Sequence, residues 1–152
     1  MAKFSFNGMD EISASFEQIA KLTDEDKMSV ILRGAQLLLQ RQQEKITSVF
    51  KQWTGALAKS LTIQERSDDG GVFAYIFPKG KHPGSSTGRR KKKGHSAGKY
   101  SGSNAEVAYI LEYGSPRIAA THWLENANEE SADELTETMQ SAWNDLLTEK
   151  GL

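Results

Sequence analysis

Between Met28 and Phe50 the apolar residues Met28, Ile31, Leu32, Ala35, Leu38, Leu39, Ile46, Val49 and Phe50 recur every three or four positions. Gln40, Arg41, Gln43 and Lys45 keep the opposite side polar. Such spacing places the apolar groups on one stripe of a helix running from about residue 24 to 50. Fully burying each large residue of that stripe is worth roughly 1.5–3 kcal/mol. The rest of the chain must therefore supply a layer that covers it, and this helix is the expected spine of the core. Thr23 is a suitable N-cap, and the acids of "TDED" suit the positive end of the helix dipole. Gly55 in "QWTGAL" offers a C-terminal stop.

The neighbouring segments divide by period. Met9, Ile12, Phe16, Ile19 and Ala20 share a helical stripe, which predicts a first helix over 9–22 with Glu11 and Glu17 off the stripe. "LAKSLTIQER" (57–66) alternates, with Leu57, Leu61 and Ile63 on one side and Ser60, Thr62 and Gln64 on the other, and reads as a half-buried strand. "SDDGG" (67–71) is turn chemistry, and "VFAYIF" (72–77) completes a hairpin. The second strand is apolar on both faces: Val72, Ala74 and Ile76 on one, Phe73, Tyr75 and Phe77 on the other. "AEVAYILEYG" (105–114) reads as a third strand, with Val107, Tyr109, Leu111 and Tyr113 sharing a face. Pro116 ends it. Trp123, Leu124, Ala127, Leu135, Met139, Ala142, Trp143, Leu146 and Leu147 form the stripe of a last helix over about 122–148. Strands clustered between helices predict an α+β fold. It comprises a small antiparallel sheet, the hairpin plus one further strand, packed by the long central helix with N- and C-terminal helices around it.

At 152 residues the chain suits a single domain over 1–152. Residues 79–104 form a flexible basic arm between the hairpin and the third strand, long enough to carry a function of its own. The formal charge of −1 conceals an asymmetry. Residues 79–100 hold eight basic groups (Lys79, Lys81, Arg89, Arg90, Lys91, Lys92, Lys93 and Lys99) and no acid, leaving eleven basic against twenty acidic groups elsewhere, a balance of −9. The chain has no cysteine, hence no disulfide framework and no thiolate chemistry. No stretch approaches the roughly 18 apolar residues of a membrane helix, and the start lacks the apolar run of a signal peptide. The expectation is a soluble protein that remains where it is made.

No catalytic constellation emerges. His82, His95 and His122 lack metal-ligand spacing, so no metal site or cofactor is expected. "GRRKKKGHS" lacks the Lys-Ser/Thr of a phosphate loop, and no helix follows it. The acids Glu125, Glu129, Glu130, Asp133, Glu134, Glu137, Asp145 and Glu149 fall at helical spacing and read as a solvated negative surface. A hydrolase with an unrecognised site is the weakest reading. The Phe73, Tyr75 and Phe77 stripe is either ordinary core or an interface, because an uncharged apolar strand left open is an aggregation hazard. The basic arm suits three uses: solubility, contact with a polyanion through counterion release, or docking on an acidic surface of a neighbouring subunit. Only Tyr100 supplies an aromatic there, which argues against base stacking.

Four stretches together resemble the neck, or tail-completion, proteins of long-tailed double-stranded DNA phages. "FSFNGMDEISASFEQI" is similar to the family's "F-x-GMDEL" opening, and "WTGALAKSLTI" to its "TG-x-L-x-x-SI". "AYILEYGSPRIAATHWLENA" is similar to its "VE-[FY]-G-[ST]" segment followed by a proline-linked turn and a helix opening "[FW]-L-x-x-A". Matching positions include Gly8, Gly55, Leu57, Ser60, Glu112, Tyr113, Gly114, Leu124 and Ala127. The basic arm falls where the family has a shorter connection. The resemblance implies a structural, non-enzymatic virion protein, made in the bacterial host cytoplasm. It would join head connector to tail terminator or tube as a ring, most often six-fold, around the DNA channel.

The combined expectation is a homo-oligomeric ring. A head-to-tail ring needs two different complementary patches per subunit. Phe73, Tyr75 and Phe77 supply one; Glu112, Tyr113 and Arg117 of "LEYGSPR", or the acidic last helix, supply the other. Arg89, Arg90, Lys91, Lys92, Lys93 and Lys99 would meet either DNA in the channel, without sequence readout, or a neighbour's acidic surface. The alternative function is a small nucleic-acid-binding protein that uses this arm as its site.

Overall fold

A computed structural model describes residue 17 and residues 19–49, 54–81 and 103–151. The long helix α1 spans Asp24–Val49. It opens with a capping box: the Thr23 Oγ1 accepts from the Asp26 amide at 3.2 Å, and the Asp26 carboxylate accepts from the Thr23 amide at 3.0 Å. The expected Thr23 cap is therefore formed, with aspartate in the reciprocal position.

Thr54–Ser60 forms a short helix, α2, where the start of a strand was expected. Leu57 and Leu61, read as alternating, are also one helical turn apart, and Ala56, Leu57, Ala58 and Lys59 are strong helix formers. Gly55 accordingly lies inside α2 rather than stopping α1. The strand proper is β1 (Leu61–Asp68), which pairs antiparallel with β2 (Gly71–Pro78). The register runs from Leu61 opposite Pro78 to Asp68 opposite Gly71. Directly opposed residues share a face. Thr62, Gln64 and Arg66 therefore stand with Phe77, Tyr75 and Phe73 on one side, and Ile63 with Ile76 on the other.

The expected third strand is a helix, α3 (Asn104–Tyr113). Its buried residues Asn104, Ala108 and Glu112 recur every four positions, so the period that matters is helical, not alternating. Among the described residues the sheet thus has two strands. The α+β class stands, with helices in place of the extra strand. The last segment is two helices, α4 (Trp123–Glu130) and α5 (Ala132–Glu149). They meet at the buried Ser131, whose hydroxyl donates back to the Ala127 carbonyl at 2.6 Å.

Two apolar clusters hold the elements together. Ile46, Leu57, Ala58, Leu61, Ala108 and Trp123 join α1, α2, β1, α3 and α4, with Ile76 of β2 packed against them. Leu22, Val30, Ala142 and Leu146 join the start of α1 to the end of α5. Ion pairs tie α1 to the acidic helices: Arg33 to Asp145, Arg41 to Glu134 and Lys45 to Glu130. From Arg33 to Arg41 the partner's number falls from 145 to 134, so α5 runs antiparallel to α1. Three of the acids read as a solvated surface therefore face α1. The stripe residues Met9, Ile12 and Phe16, along with Phe50, Trp53 and residues 82–102 of the arm, lie outside the described residues. No helix among the described residues is long and apolar enough to cross a membrane.

Candidate assembly interface

The outer side of the hairpin carries an aromatic patch. Phe73 and Tyr75 are 37% and 50% exposed, with ring centroids 6.4 Å apart, and Phe77 beyond them is half-buried. The opposite strand offers Arg66, Gln64 and Thr62 beside them, so the patch is apolar on β2 and polar on β1. The inner side of β2 packs Ile76 towards the core formed with α1 and α3. The strand is apolar on both faces because one face serves the fold and the other is left to solvent in the single chain.

A second aromatic patch lies on α3. Tyr109 and Tyr113, one turn apart, are each 64% exposed, and their ring centroids stand 4.8 Å apart. Ser103 forms the helix N-cap, its hydroxyl accepting from the Glu106 amide at 3.1 Å. The inward residues Ala108 and Glu112 then leave the tyrosines outward. Because α3 packs on the inner side of the sheet, the tyrosine pair and the outer aromatic patch are carried on different sides of the hairpin. Tyr109 was expected to share a strand face with Tyr113; the helix brings the two together instead. The signal for this was "SNAE", an S-x-x-E capping pattern at Ser103–Glu106.

Glu112, expected at a subunit interface, is buried within the single chain, where its carboxylate is engaged. It is 5% exposed, and its carboxylate accepts from the amides of Leu124 at 2.8 Å and Glu125 at 3.2 Å. These are orphan donors in the first turn of α4. His122 precedes that turn in a left-handed conformation (φ 49°) and makes no side-chain cap, so Glu112 caps α4 from a distant helix. The loop between them folds back tightly. Thr121 donates from both its amide and its hydroxyl to the Leu111 carbonyl, at 3.0 and 2.7 Å. Gly114 sits at φ +82°, where a Cβ would stand 2.8 Å from the Ala120 nitrogen and 2.9 Å from the Ile118 oxygen. The "LEYG…THWL" pattern is thus a device for joining α3 to α4. Tyr113 and the exposed Arg117 remain at the surface beside it.

Glu112, His122 and Glu125 bring ligand atoms within 4.8 Å of one another. The arrangement is accounted for by capping. Both Glu112 oxygens are engaged, and His122 Nδ1 lies 3.3 Å from a Glu125 oxygen. A cation there would also face the positive end of the α4 dipole.

The basic arm is rooted at one place. Lys81 and Ser103 form a β-bridge, and Asn104 donates from its amide to the Gly80 carbonyl and from its side chain to the Lys79 carbonyl. The arm therefore leaves and rejoins the body at the junction of β2 and α3. Arg89, Arg90, Lys91, Lys92, Lys93 and Lys99 lie outside the described residues.

Between β2 and the α4–α5 pair runs a cleft of about 300 Å³, floored by α1 from Ile31 to Gln42 and flanked by Ala74, Leu124, Leu135 and Met139. A smaller cleft of about 180 Å³ adjoins it at Gln42, Ile76 and Leu124 and reaches Tyr109 and Tyr113. Gln42 is buried at their junction. Its Nε2 donates to Asn128 at 2.9 Å, while its Oε1 has no partner.

No family model, curated protein or solved structure matches this chain.

Proposed function

We propose that this protein is a structural ring subunit of the head–tail junction of a long-tailed DNA phage, a neck or tail-completion protein without enzymatic activity. The observation that carries this reading is the pair of exposed aromatic patches on different sides of the hairpin. A closed head-to-tail ring requires two unlike surfaces per subunit, and large exposed aromatic groups are what such surfaces bury. Phe73, Tyr75 and Phe77 form one surface, and Tyr113 with Tyr109 and Arg117 forms the other. The resemblance of "FNGMDEI", "WTGALAKSL" and "LEYGS" to the family's motifs supports the same assignment. It also brings the expected neighbours, a connector on the head side and terminator or tube proteins on the tail side, with six-fold symmetry and a virion location.

The test is negative-stain electron microscopy of the purified full chain across a concentration series. Rings with a central channel, six-fold in projection, are expected. Isolated single chains at every concentration would contradict the reading.

A further inference from the structure

We propose that the ring of Tyr75 on one copy of this chain inserts into the cleft of about 180 Å³ between β2, α3 and α4 of a second copy, an inference that deepens the ring reading above and rests on it. The strand's period of two decides that the knob comes from another chain. Ile76 lines the cleft from the inner side of the sheet. Tyr75, its neighbour along β2, points to the opposite side, where it stands beside Phe73 and is 50% exposed. Tyr75 therefore faces away from its own cleft. A knob and a socket on different sides of one subunit link copies head to tail.

The socket suits one aromatic ring in size and in lining. An apolar cavity of about 150 Å³ already holds benzene. Leu61, Ile76, Ala108 and Trp123 give the cleft an apolar floor, and the exposed Tyr109 and Tyr113 stand at its mouth, placed to stack against an incoming phenol. A tyrosine seated in a desolvated pocket is a frequent anchor of protein interfaces. Charge matches as well. The cations Arg66, opposite Phe73, and Lys79, at the end of β2, flank the knob, against the acid Asp68. The acids Glu106, three residues before Tyr109 on the same helical face, and Glu125, next to Leu124, flank the socket, against the cation Arg117. The knob side is positive on balance and the socket side negative, which draws the two together and fixes which face meets which.

Tyr75→Ala removes the knob, and Ala105→Trp fills the socket from its exposed rim. Each is made in the full-length chain and its mass followed by analytical ultracentrifugation across a concentration series, beside wild type. Circular dichroism checks the fold, and Tyr113→Glu at the socket mouth replaces Ala105→Trp if that variant unfolds. Each variant alone should drop from the assembly to the single-chain mass of 16.8 kDa. Mixed in equal amounts, the two retain one knob and one socket between them, so they should form a dimer at twice that mass and grow no further. A mixture that stays single-chain at every concentration, or one that regains the full assembly, would overturn the proposal. A folded variant that assembles alone as wild type does would overturn it while leaving the ring reading in place. Wild type at the single-chain mass throughout would remove the ring reading and this inference together.

Discussion

At the scale of single residues, the junction between α3 and α4 is the most constrained part of the molecule. Gly114 combines a positive φ with a close approach to the backbone at Ile118 and Ala120. Gly114→Ala should cost about 2–3 kcal/mol or more in urea unfolding, because strain and contact act together. Glu112→Ala leaves two first-turn amides of α4 without their acceptor and should cost about 1–3 kcal/mol. Glu125→Gln, at an exposed position on the same turn, should fall within about 0.5 kcal/mol of wild type. Equal losses for Glu112→Ala and Glu125→Gln would contradict the capping role. Asp26 gives the acid dependence. Its bond from Lys150, together with those from Thr23, lowers its carboxyl from 3.8 to about 2. A lowered folded value means that the contribution is present above the ordinary carboxylate range and lost as pH falls through it towards 2. Asp26→Asn should therefore flatten the fall of Tm between about pH 4 and 2.

Among the elements, what could be read from the sequence depended on how far each pattern was open to a second period. The stripe from Met28 to Val49 is too long for any other period, and α1 forms where expected with its Thr23 cap. The hairpin was legible because "SDDGG" separates two apolar runs. Residues 105–113 were not, since Val107, Tyr109, Leu111 and Tyr113 alternate while Asn104, Ala108 and Glu112 repeat by four. The four-residue repeat decides because Ala108 and Glu112 bond to Trp123 and Leu124 at the start of α4, and Asn104 to the Lys79 and Gly80 carbonyls, contacts distant in sequence. Glu112 shows the same limit, since a charged residue in an apolar stretch reads as surface until its two amide partners are known. Ser103→Ala tests the helix assignment directly. It should destabilise the chain by about 1 kcal/mol through loss of the Glu106 amide bond, whereas the capping hydroxyl would be dispensable in a strand.

For the whole molecule, the charge asymmetry takes on a geometry. Glu130, Glu134 and Asp145 are engaged with α1, and the Arg41 fork on Glu134 holds that carboxyl below its ordinary range. The segment whose sequence holds Arg89 to Lys93 is bounded by Lys81 and Ser103, which form a bridge at the β2–α3 junction. Replacing Arg89–Lys93 with glutamine should weaken either DNA binding or the assembly, with a loss that shrinks as salt is raised. Salt-independent behaviour in both assays would leave the stretch as a solvated loop. In the ring reading, the aromatic face of the hairpin is completed by identical copies. Multi-angle light scattering of wild type beside Tyr75→Asp tests it most directly. Wild type should elute at several times 16.8 kDa, and the variant at 16.8 kDa with an unchanged circular dichroism spectrum. A folded Tyr75→Asp variant that keeps the full assembly mass, or a wild type that stays at the single-chain mass, would contradict it.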